Sequence, residues 1–385
     1  MKKFISIGLS ILLALSCLTG CGGGDNGAGN DGATVFKIGG IGPLTGGAAS
    51  YGDAVNKGAQ IAVEEINANG GINGYQIEFK MADDEHLAEK AVNAYNDLKD
   101  WGMQLLMGTV TSAPCIEVEG KAVADNMFLL TPSGTAVECI SGDNAFRLCF
   151  SDPTQGTKSA EFIGTNSLAK KVAVIYDISD PYSIGIYEAF QKEAANQGIE
   201  IVSVETFTGE SKTDFTVQVQ KAKDSGAELL FLPIYYQEAS LILRQADSIG
   251  FEPKVFGCDG LDGLLDVLDK ELCEDVMFLT PFAPDADDDL TNKFVKAYAD
   301  KFDGKVPIQF AADAYDAIYA IKLAAEKANA TPDMSVSELC DALSAAMLEI
   351  ELEGLTGTIT WDASGEPNKE PKAVIIKDGA YNAMQ

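Results

Sequence analysis

Hydroxyl-bearing side chains follow two apolar runs that the first half of the chain predicts as strands. Residues 108–112 (Gly-Thr-Val-Thr-Ser) come after one run, and residues 131–135 (Thr-Pro-Ser-Gly-Thr) come after the next. In parallel α/β sheets the ligand crevice lies beyond the carboxyl ends of the strands, where helix N-termini and hydroxyls suit a carboxylate. Ser112 and Ser133 could instead simply cap the helices that follow them. The pattern therefore predicts either a carboxylate-binding edge or two ordinary helix caps.

Acidic and aromatic side chains occupy the corresponding positions in the second half of the chain. Three predicted strands are each followed by such residues: Asp177 with Tyr182, Tyr235 with Tyr236, and Asp259. One carboxylate and several tyrosines suit a ligand that has a cation and an apolar part. Exposed loops would have the same composition, so the pattern alone leaves both interpretations open.

The sequence offers little support for catalysis or metal binding. The single histidine, His86, stands in an acidic run and has no second ligand at metal spacing, so we expect it in a solvated loop. No nucleophile elbow, Walker loop or dinucleotide-binding glycine pattern is present. The aspartates of residues 285–289 lack the spacing of a calcium loop and are predicted to enrich a helix N-terminus in negative charge. We predict a protein that is not an enzyme and needs no metal or cofactor.

Short β-branched runs alternate with amphipathic segments of helical length from residue 34 onward. This alternation predicts βαβ units and parallel sheets, and it restarts near Val172, which indicates two similar α/β lobes. The predicted strands are 35–41, 77–79, 105–108, 127–130, 172–176, 199–204, 229–232, 255–257, 358–361 and 373–376. Helical patterns occur at 290–302, 310–328 and 335–348, and no strand is predicted between them. Such helices need a sheet to pack on, so we expect the chain to return to the first lobe there.

The N-terminus reads as an export signal. Lys2 and Lys3 precede an uncharged apolar run over residues 4–18, which is too short for a comfortable membrane span, and residues 18–21 (Leu-Thr-Gly-Cys) match a lipobox. We predict a lipoprotein signal over 1–20, lipidation of Cys21 and a flexible tether over 21–33. An ordinary signal peptide is the alternative. The formal net charge of −30 excludes nucleic acid and anionic lipid as partners.

Six cysteines remain beyond the predicted signal and lipid anchor. Cys139 and Cys149 are close in sequence, as are Cys258 and Cys273, so either pair could form a local disulfide. Buried free thiols are the alternative. The spacings resemble neither a zinc site nor a redox motif.

Almost the whole of residues 34–385 resembles the leucine/isoleucine/valine-binding protein family, the type I periplasmic substrate-binding proteins of branched-chain amino-acid ABC importers. The resemblance rests on residues 41–46, Tyr51-Gly52, 66–74, 130–135, 242–245 and 358–362. It implies two Rossmann-like α/β lobes with parallel sheets, joined by a three-strand hinge that forms a Venus-flytrap clamp. The implied crossings near 152, 282 and 370 give lobe 1 residues 34–152 plus 283–370, and lobe 2 residues 153–282 plus 371–385.

The resemblance also implies a ligand site. The carboxylate grip of the family falls on Ser112 and Thr135, with backbone groups near Ser133, and its partner for the ammonium falls on Asp259, where the best-known members have glutamate. The remaining implied site positions are the closing aromatics Tyr182 and Tyr235 and the side-chain pocket residues Tyr51, Val110, Thr111 and Phe310. A first-lobe disulfide of some members has its matching positions around Glu85 and Thr111, so we expect that bridge to be absent.

The function implied is that of a lipid-anchored, monomeric, extracytoplasmic binding protein. It would close on an α-amino acid, with leucine, isoleucine or valine expected, and deliver it to a membrane permease. The anchored protein would lie on the outer face of a Gram-positive cell or in a periplasm. The same clamp could take another amino acid, an amide or a small organic acid, or it could act as a ligand sensor for a membrane receptor.

Overall fold

The structure is a computed structural model and describes residues 35–384. The predicted signal, the lipidation at Cys21 and the tether therefore lie outside the described residues. In the part of the chain that is described, no helix is long and apolar enough to cross a membrane.

The first half of the chain builds a five-stranded parallel sheet in the order β2-β1-β3-β4-β5. Apart from the edge strand β2, its strands are mostly buried, and all four residues of β3 are buried, as expected for a sheet covered by helices on both faces. The elements are β1 (Val35–Gly42), α1 (Ala49–Ala68), β2 (Gln76–Asp83), α2 (Ala88–Trp101), β3 (Leu105–Gly108), α3 (Ser112–Asp125), β4 (Leu129–Thr131), a 3-10 helix (Val137–Ile140) and β5 (Ala145–Arg147).

The chain then builds most of a second sheet, in which β6 to β10 are parallel. The elements are α4 (Asp152–Thr165), β6 (Lys171–Asp177), α5 (Pro181–Ala194), β7 (Glu200–Phe207), α6 (Thr216–Asp224), β8 (Leu229–Leu232), α7 (Tyr236–Ser248), β9 (Lys254–Gly257), a 3-10 helix (Asp259–Leu261), α8 (Leu264–Val267), α9 (Lys270–Cys273) and β10 (Val276–Thr280).

The last part of the chain serves both sheets. Its helix α11 packs against α1, β3 and β4 of the first half, whereas β13 pairs with β10 and completes the order β14-β13-β10-β9-β8-β6-β7. The elements are α10 (Asp289–Lys301), α11 (Gln309–Lys327), α12 (Val336–Met347), β11 (Leu352–Gly354), β12 (Gly357–Ile359), β13 (Lys372–Lys377) and β14 (Ala380–Ala383).

Local sequence explains where several helices begin and end. Asp288 caps α10 by accepting a hydrogen bond from the Thr291 amide at 2.8 Å, which agrees with the helix N-terminus predicted for the aspartate cluster. Helix α12 begins with a capping box between Ser335 and Glu338. Helix α2 ends at Gly102, whose left-handed backbone suits glycine.

The predicted fold class is confirmed: the chain is mixed α/β with two parallel-sheet lobes. The prediction missed β5, β10, β11 and β14, and it did not include the antiparallel pairing of β13 and β14 at the edge of the second sheet. We refer to the layers around the first and second sheets as the first and second lobes. The residue numbers proposed for the lobe boundaries stay a prediction.

Candidate functional site

The ten residues predicted to bind a ligand line one narrow cavity between the two lobes. Its empty space measures about 220 Å³, including solvent at its open side, and the centre of a water-sized sphere can reach only about 10 Å³ of it. The one further residue in its wall is Gly260; the predicted ones are Tyr51, Val110, Thr111, Ser112, Ser133, Thr135, Tyr182, Tyr235, Asp259 and Phe310. Their convergence follows from topology, because the carboxyl ends of parallel strands meet at one edge of each sheet. Their role in binding stays a prediction.

The first lobe contributes hydroxyl groups from the turns after β3 and β4. The Ser112 and Thr135 hydroxyl oxygens lie 3.4 Å apart, and both side chains are buried. The amide of Ala136 donates to the Ser112 hydroxyl oxygen at 3.3 Å. The backbone residue that caps α3 is Thr111, and its side chain makes no capping hydrogen bond. Ser112 is thus not the helix cap that the sequence left open as an alternative.

A second hydroxyl and a buried cation hold the turn after β4 in place. Ser133 donates its hydroxyl to the carbonyl of Val110 at 2.8 Å, which ties the two turns together. Arg147, which is 0% exposed, donates to the carbonyls of Gly134 and Thr135 at 3.1 and 2.6 Å. Its Nε also lies 3.1 Å from a carboxylate oxygen of Glu366. Arg147 was missed from the sequence because its partners are backbone carbonyls, which carry no sequence signal.

The second lobe places one carboxylate against the cavity. Asp259 follows β9 and is 4% exposed, and Tyr182 donates its hydroxyl to Asp259 Oδ1 at 2.8 Å. The Gly260 amide donates in turn to the Tyr182 hydroxyl oxygen at 2.9 Å. A Cβ at residue 260 would lie 2.6 Å from both the Ile234 carbonyl and the Tyr182 hydroxyl, so only glycine fits this close approach.

Burial dominates the electrostatics of Asp259. Desolvation raises the pKa of its carboxyl to about 6, against hydrogen bonds from Tyr182, Gln155 and the Gly260 amide that favour the charged form. The carbonyl oxygen of the Gln155 side chain accepts from the Asp259 amide at 3.1 Å. A positive group in the cavity would therefore interact with a carboxylate that has little water around it.

Aromatic rings form the apolar wall of the cavity. Tyr51 stacks on Phe310 with ring centroids 4.2 Å apart, and Tyr182 stacks on Tyr235 at 4.7 Å. Tyr51 belongs to α1, Phe310 to α11, Tyr182 to α5, and Tyr235 stands directly before α7. The wall therefore depends on helices from both lobes.

Direct hydrogen bonds join the two lobes beside the cavity. The Tyr51 hydroxyl donates to the Gly260 carbonyl at 2.5 Å and accepts from the Tyr236 amide at 3.2 Å. The Gln309 amide donates to Asp262 Oδ2 at 2.7 Å. The structure thus describes the lobes in a closed arrangement.

His86 lies in a loop, as predicted, but it is only partly exposed and its ring makes contacts that the sequence did not indicate. Its Nδ1 is 2.9 Å from the Thr111 hydroxyl, and its ring meets Tyr235 edge-on with centroids 5.1 Å apart. The acidic run misled the sequence interpretation, because one of its members is buried: Asp84 is 0% exposed and accepts a hydrogen bond from the His86 amide. The resemblance matched Glu85 and Thr111 to the two ends of a disulfide that some family members have. In this structure Thr111 instead lies within hydrogen-bond distance of His86, the residue after Glu85.

All six cysteines of the described chain are free thiols, which settles the alternatives left open by their spacing. They are buried at Cys115, Cys139, Cys149, Cys258, Cys273 and Cys340. Neither of the two local disulfides considered from the sequence is present.

A larger groove exists elsewhere between the lobes but lacks the features of a site. It measures about 980 Å³, including the solvent to which it opens, and lies between residues 136–138 and helix α5. It has no converging hydroxyls and no aromatic wall. The smaller cavity is therefore the candidate site, because it combines an apolar wall with a few converging polar groups.

Known proteins that resemble this chain include binding proteins for branched-chain amino acids. Leu/Ile/Val-binding protein homolog 3 of Brucella melitensis is 31% identical over 347 residues, which are 86% of this chain and 88% of that protein. The branched-chain amino acid transporter substrate-binding protein LivJ of Streptococcus pneumoniae, solved in complex with isoleucine, is 29% identical with a TM-score of 0.83, covering 91% of this chain and 99% of that one.

A more distant structure shares the fold alone. The solute-binding protein of an ABC transporter from R. palustris, solved in complex with benzoate, has a TM-score of 0.82 at 18% identity, covering 91% of this chain and 95% of that one. The family model described as periplasmic binding protein matches residues 35–375. The chain therefore belongs to the periplasmic binding protein family, among the branched-chain amino acid substrate-binding proteins of ABC transporters.

Proposed function

We propose that this protein binds leucine, isoleucine or valine between its two lobes and delivers the amino acid to an ABC permease. One observation carries the proposal: a buried carboxylate, a pair of buried hydroxyls and an aromatic wall face a single narrow cavity between the lobes, which would widen to admit the ligand. These are the complements of an α-ammonium, an α-carboxylate and an apolar side chain.

The carboxylate of the ligand would lie against Ser112 and Thr135. Their hydroxyls are buried and close together, and each can donate a hydrogen bond to an anion. The turn that carries Thr135 is fixed by Arg147, so the donors are already oriented before a ligand arrives. Orientation in advance lowers the entropy that binding must spend.

The ammonium of the ligand would lie against Asp259. Because this carboxyl has a pKa of about 6, it is mostly ionised at pH 7, and water cannot easily stabilise its charge. A ligand ammonium would supply the missing partner through charge-assisted hydrogen bonds. Plain organic acids lack that group and would leave Asp259 facing no cation.

The side chain of the ligand would lie among the rings. Tyr51 and Phe310 stack on each other, and Val110 adds an aliphatic surface, which suits a branched aliphatic group. The Thr111 hydroxyl is already engaged by His86 at 2.9 Å. The Thr111 hydroxyl is therefore not free to make the pocket polar.

The test is a thermal-shift screen of residues 34–385 against all proteinogenic amino acids, followed by calorimetry. The protein is first unfolded and refolded to remove any ligand carried through purification. A ligand at 100 times its dissociation constant adds about 2.7 kcal/mol of stability. Stabilisation by leucine, isoleucine or valine alone supports the proposal, another amino acid moves the specificity, and no response overturns amino-acid binding.

The proposed localisation is extracytoplasmic, with a lipid anchor on Cys21. The lipobox at residues 18–21 supports it, and family membership supports a location outside the cytoplasm. We expect radiolabelled palmitate to label the wild-type protein in cells and not the Cys21→Ser variant. Equal labelling of both would contradict the anchor without affecting the proposed ligand.

A further inference from the structure

His86 connects a residue of the candidate site to the opposite lobe. It lies in the loop between β2 and α2, where its φ of 61° is left-handed. Its Nδ1 is 2.9 Å from the hydroxyl of Thr111 in the first lobe, and its ring packs edge-on against Tyr235 of the second, with an interplanar angle of 85°. Separation of the lobes would remove the second contact and expose the ring.

The surroundings of the ring oppose a positive charge. Burial, followed by the field of Lys212 from the second lobe, lowers the pKa of His86 to about 4. Lys212 itself is paired with Glu238 at 3.1 Å. The imidazole is therefore neutral at pH 7 in this closed arrangement.

The nearby acidic groups do not compensate such a charge. Asp84 accepts the backbone amide of residue 86 at 2.8 Å, and burial raises the pKa of its carboxyl to about 7. Glu85 pairs with Lys90 on the surface. On the side of Tyr235, burial raises the pKa of Asp180 to about 7. Lys212 remains the charged group whose field acts on the ring.

We infer that His86 is a positioning residue of the clamp and links closure to a proton: its neutral ring holds Thr111 and packs on Tyr235 when the lobes are closed, and protonation of the ring favours opening. The inference rests on the proposed function, because closure is what retains the ligand. It adds a residue that the ligand site, as predicted, does not contain.

The sign and size of the effect follow from linkage. In open lobes the hydrated ring has a pKa near 6.5, whereas in closed lobes the value is about 4, so closing releases a proton between these two pH values. The contribution of His86 to affinity is complete above pH 6.5 and is lost as the pH falls towards 4. At pH 5 we expect affinity about 15- to 30-fold below that at pH 8 from this group alone.

Asp259 also weakens binding in acid, because a ligand ammonium holds its carboxyl in the charged form. The variant His86→Asn separates the two contributions. Asparagine tolerates a left-handed backbone, and its side-chain amide can still bond to Thr111, but it does not titrate. The wild type and His86→Asn both keep Asp259, and both keep the hydrogen bond from the backbone amide of residue 86 to Asp84.

Calorimetry with the amino acid found in the screen, at pH 8 and pH 5, gives the first readout. We expect the wild type to lose at least 15-fold more affinity than His86→Asn over this interval. A ratio of the two affinities that does not change with pH overturns the inference. A purely structural role of His86 would lower affinity equally at both pH values and is excluded by the same comparison.

Nuclear magnetic resonance gives a readout that needs no variant, because the chain has a single histidine. After removal of any affinity tag, the ring resonance of His86 in the ligand complex should titrate at pH 5.5 or below, and a higher midpoint overturns the inference. If no amino acid binds the wild type at pH 7.5, the proposed function fails. The ligand-free protein, whose lobes are open, should titrate at His86 near pH 6.5, and a midpoint at pH 5.5 or below there would overturn the inference whether or not a ligand is found.

Discussion

Replacing Asp259 by asparagine should have opposite effects on ligand binding and on the stability of the ligand-free protein. The substitution keeps the shape of the side chain, and the asparagine oxygen can still accept the Tyr182 hydroxyl, which lies 2.8 Å from Asp259 Oδ1. It removes the negative charge. The two effects therefore report on that charge and not on packing.

The loss of affinity follows from the burial of the pair. Asp259 is 4% exposed, so a ligand ammonium facing asparagine would be desolvated without a counter-charge. Breaking a buried charge pair by removing one partner costs about 3–5 kcal/mol. This corresponds to a dissociation constant roughly 150- to 4,000-fold higher.

The gain in stability of the ligand-free protein would arise because the substitution removes a buried charge that has no partner. Burial raises the pKa of the Asp259 carboxyl to about 6 in the folded protein, so the folded state holds a proton that the unfolded state has lost between pH 4 and pH 6. Stability from this group therefore falls as the pH rises through that interval. At pH 7 the charged carboxylate costs the closed arrangement up to about 3 kcal/mol, and asparagine removes this cost to the extent that the ligand-free lobes close.

The assay is paired. Calorimetry measures the dissociation constant at pH 7.5, and urea unfolding without ligand measures the free energy of unfolding, for the wild type, Asp259→Asn and Asp287→Asn. The last variant makes the same chemical change at an exposed position and should alter neither quantity. Affinity of Asp259→Asn within threefold of wild type would refute the role given to this carboxylate.

Three further predictions test the frame of the site. Tyr51→Phe should raise the dissociation constant about 2- to 12-fold in calorimetry, because the inter-lobe hydrogen bond to the Gly260 carbonyl at 2.5 Å is lost while the stacking on Phe310 remains; unchanged affinity would contradict this. Arg147→Lys should lower the free energy of unfolding by about 2–4 kcal/mol, because the single nitrogen of lysine cannot contact both the two buried carbonyls, which Nη1 bonds, and the Glu366 carboxylate, which lies beside Nε; a loss under 1 kcal/mol in urea unfolding would argue against it. An aromatic disulfide reagent should react with six thiols of unfolded residues 34–385 and with few in the native protein, and a count of four would reveal a bridge.

The sequence predicted the fold well because its signals were local and repeated. Strands such as β3 and β8 are continuous apolar runs between turns, and their bounds agree with the prediction at both ends. The missed strands β5, β11 and β14 are three or four residues long, so no periodicity can develop within them. Whether β13 pairs antiparallel with β10 depends on a contact about a hundred residues away, which no local pattern carries.

The site was predictable to the extent that its side chains follow strands. Ser112, Thr135 and Asp259 each stand where a strand ends, and the rule that parallel strands end at one edge brings them to one cavity. His86 was misjudged because its surroundings come from other segments: Thr111 is 25 residues away, and Tyr235 belongs to the opposite lobe. Arg147 and Gly260 act through backbone groups, which sequence does not distinguish.

The same buried carboxylate gives a reason why closure should depend on ligand. Closing the lobes around an unpaired Asp259 buries a charge, and the raised pKa of about 6 measures how unfavourable that is. Moving a two-state equilibrium from 1:99 to 99:1 takes about 5.5 kcal/mol of differential binding. An ammonium paired with Asp259 would supply about 3–5 kcal/mol of this, and hydrogen bonds donated by the Ser112 and Thr135 hydroxyls to a ligand carboxylate would supply the remainder at about 1.5–3 kcal/mol each. A ligand that offers only one of its two charges should therefore bind without closing the lobes fully, and small-angle X-ray scattering with leucine, leucinamide and isocaproate would show compaction with leucine alone.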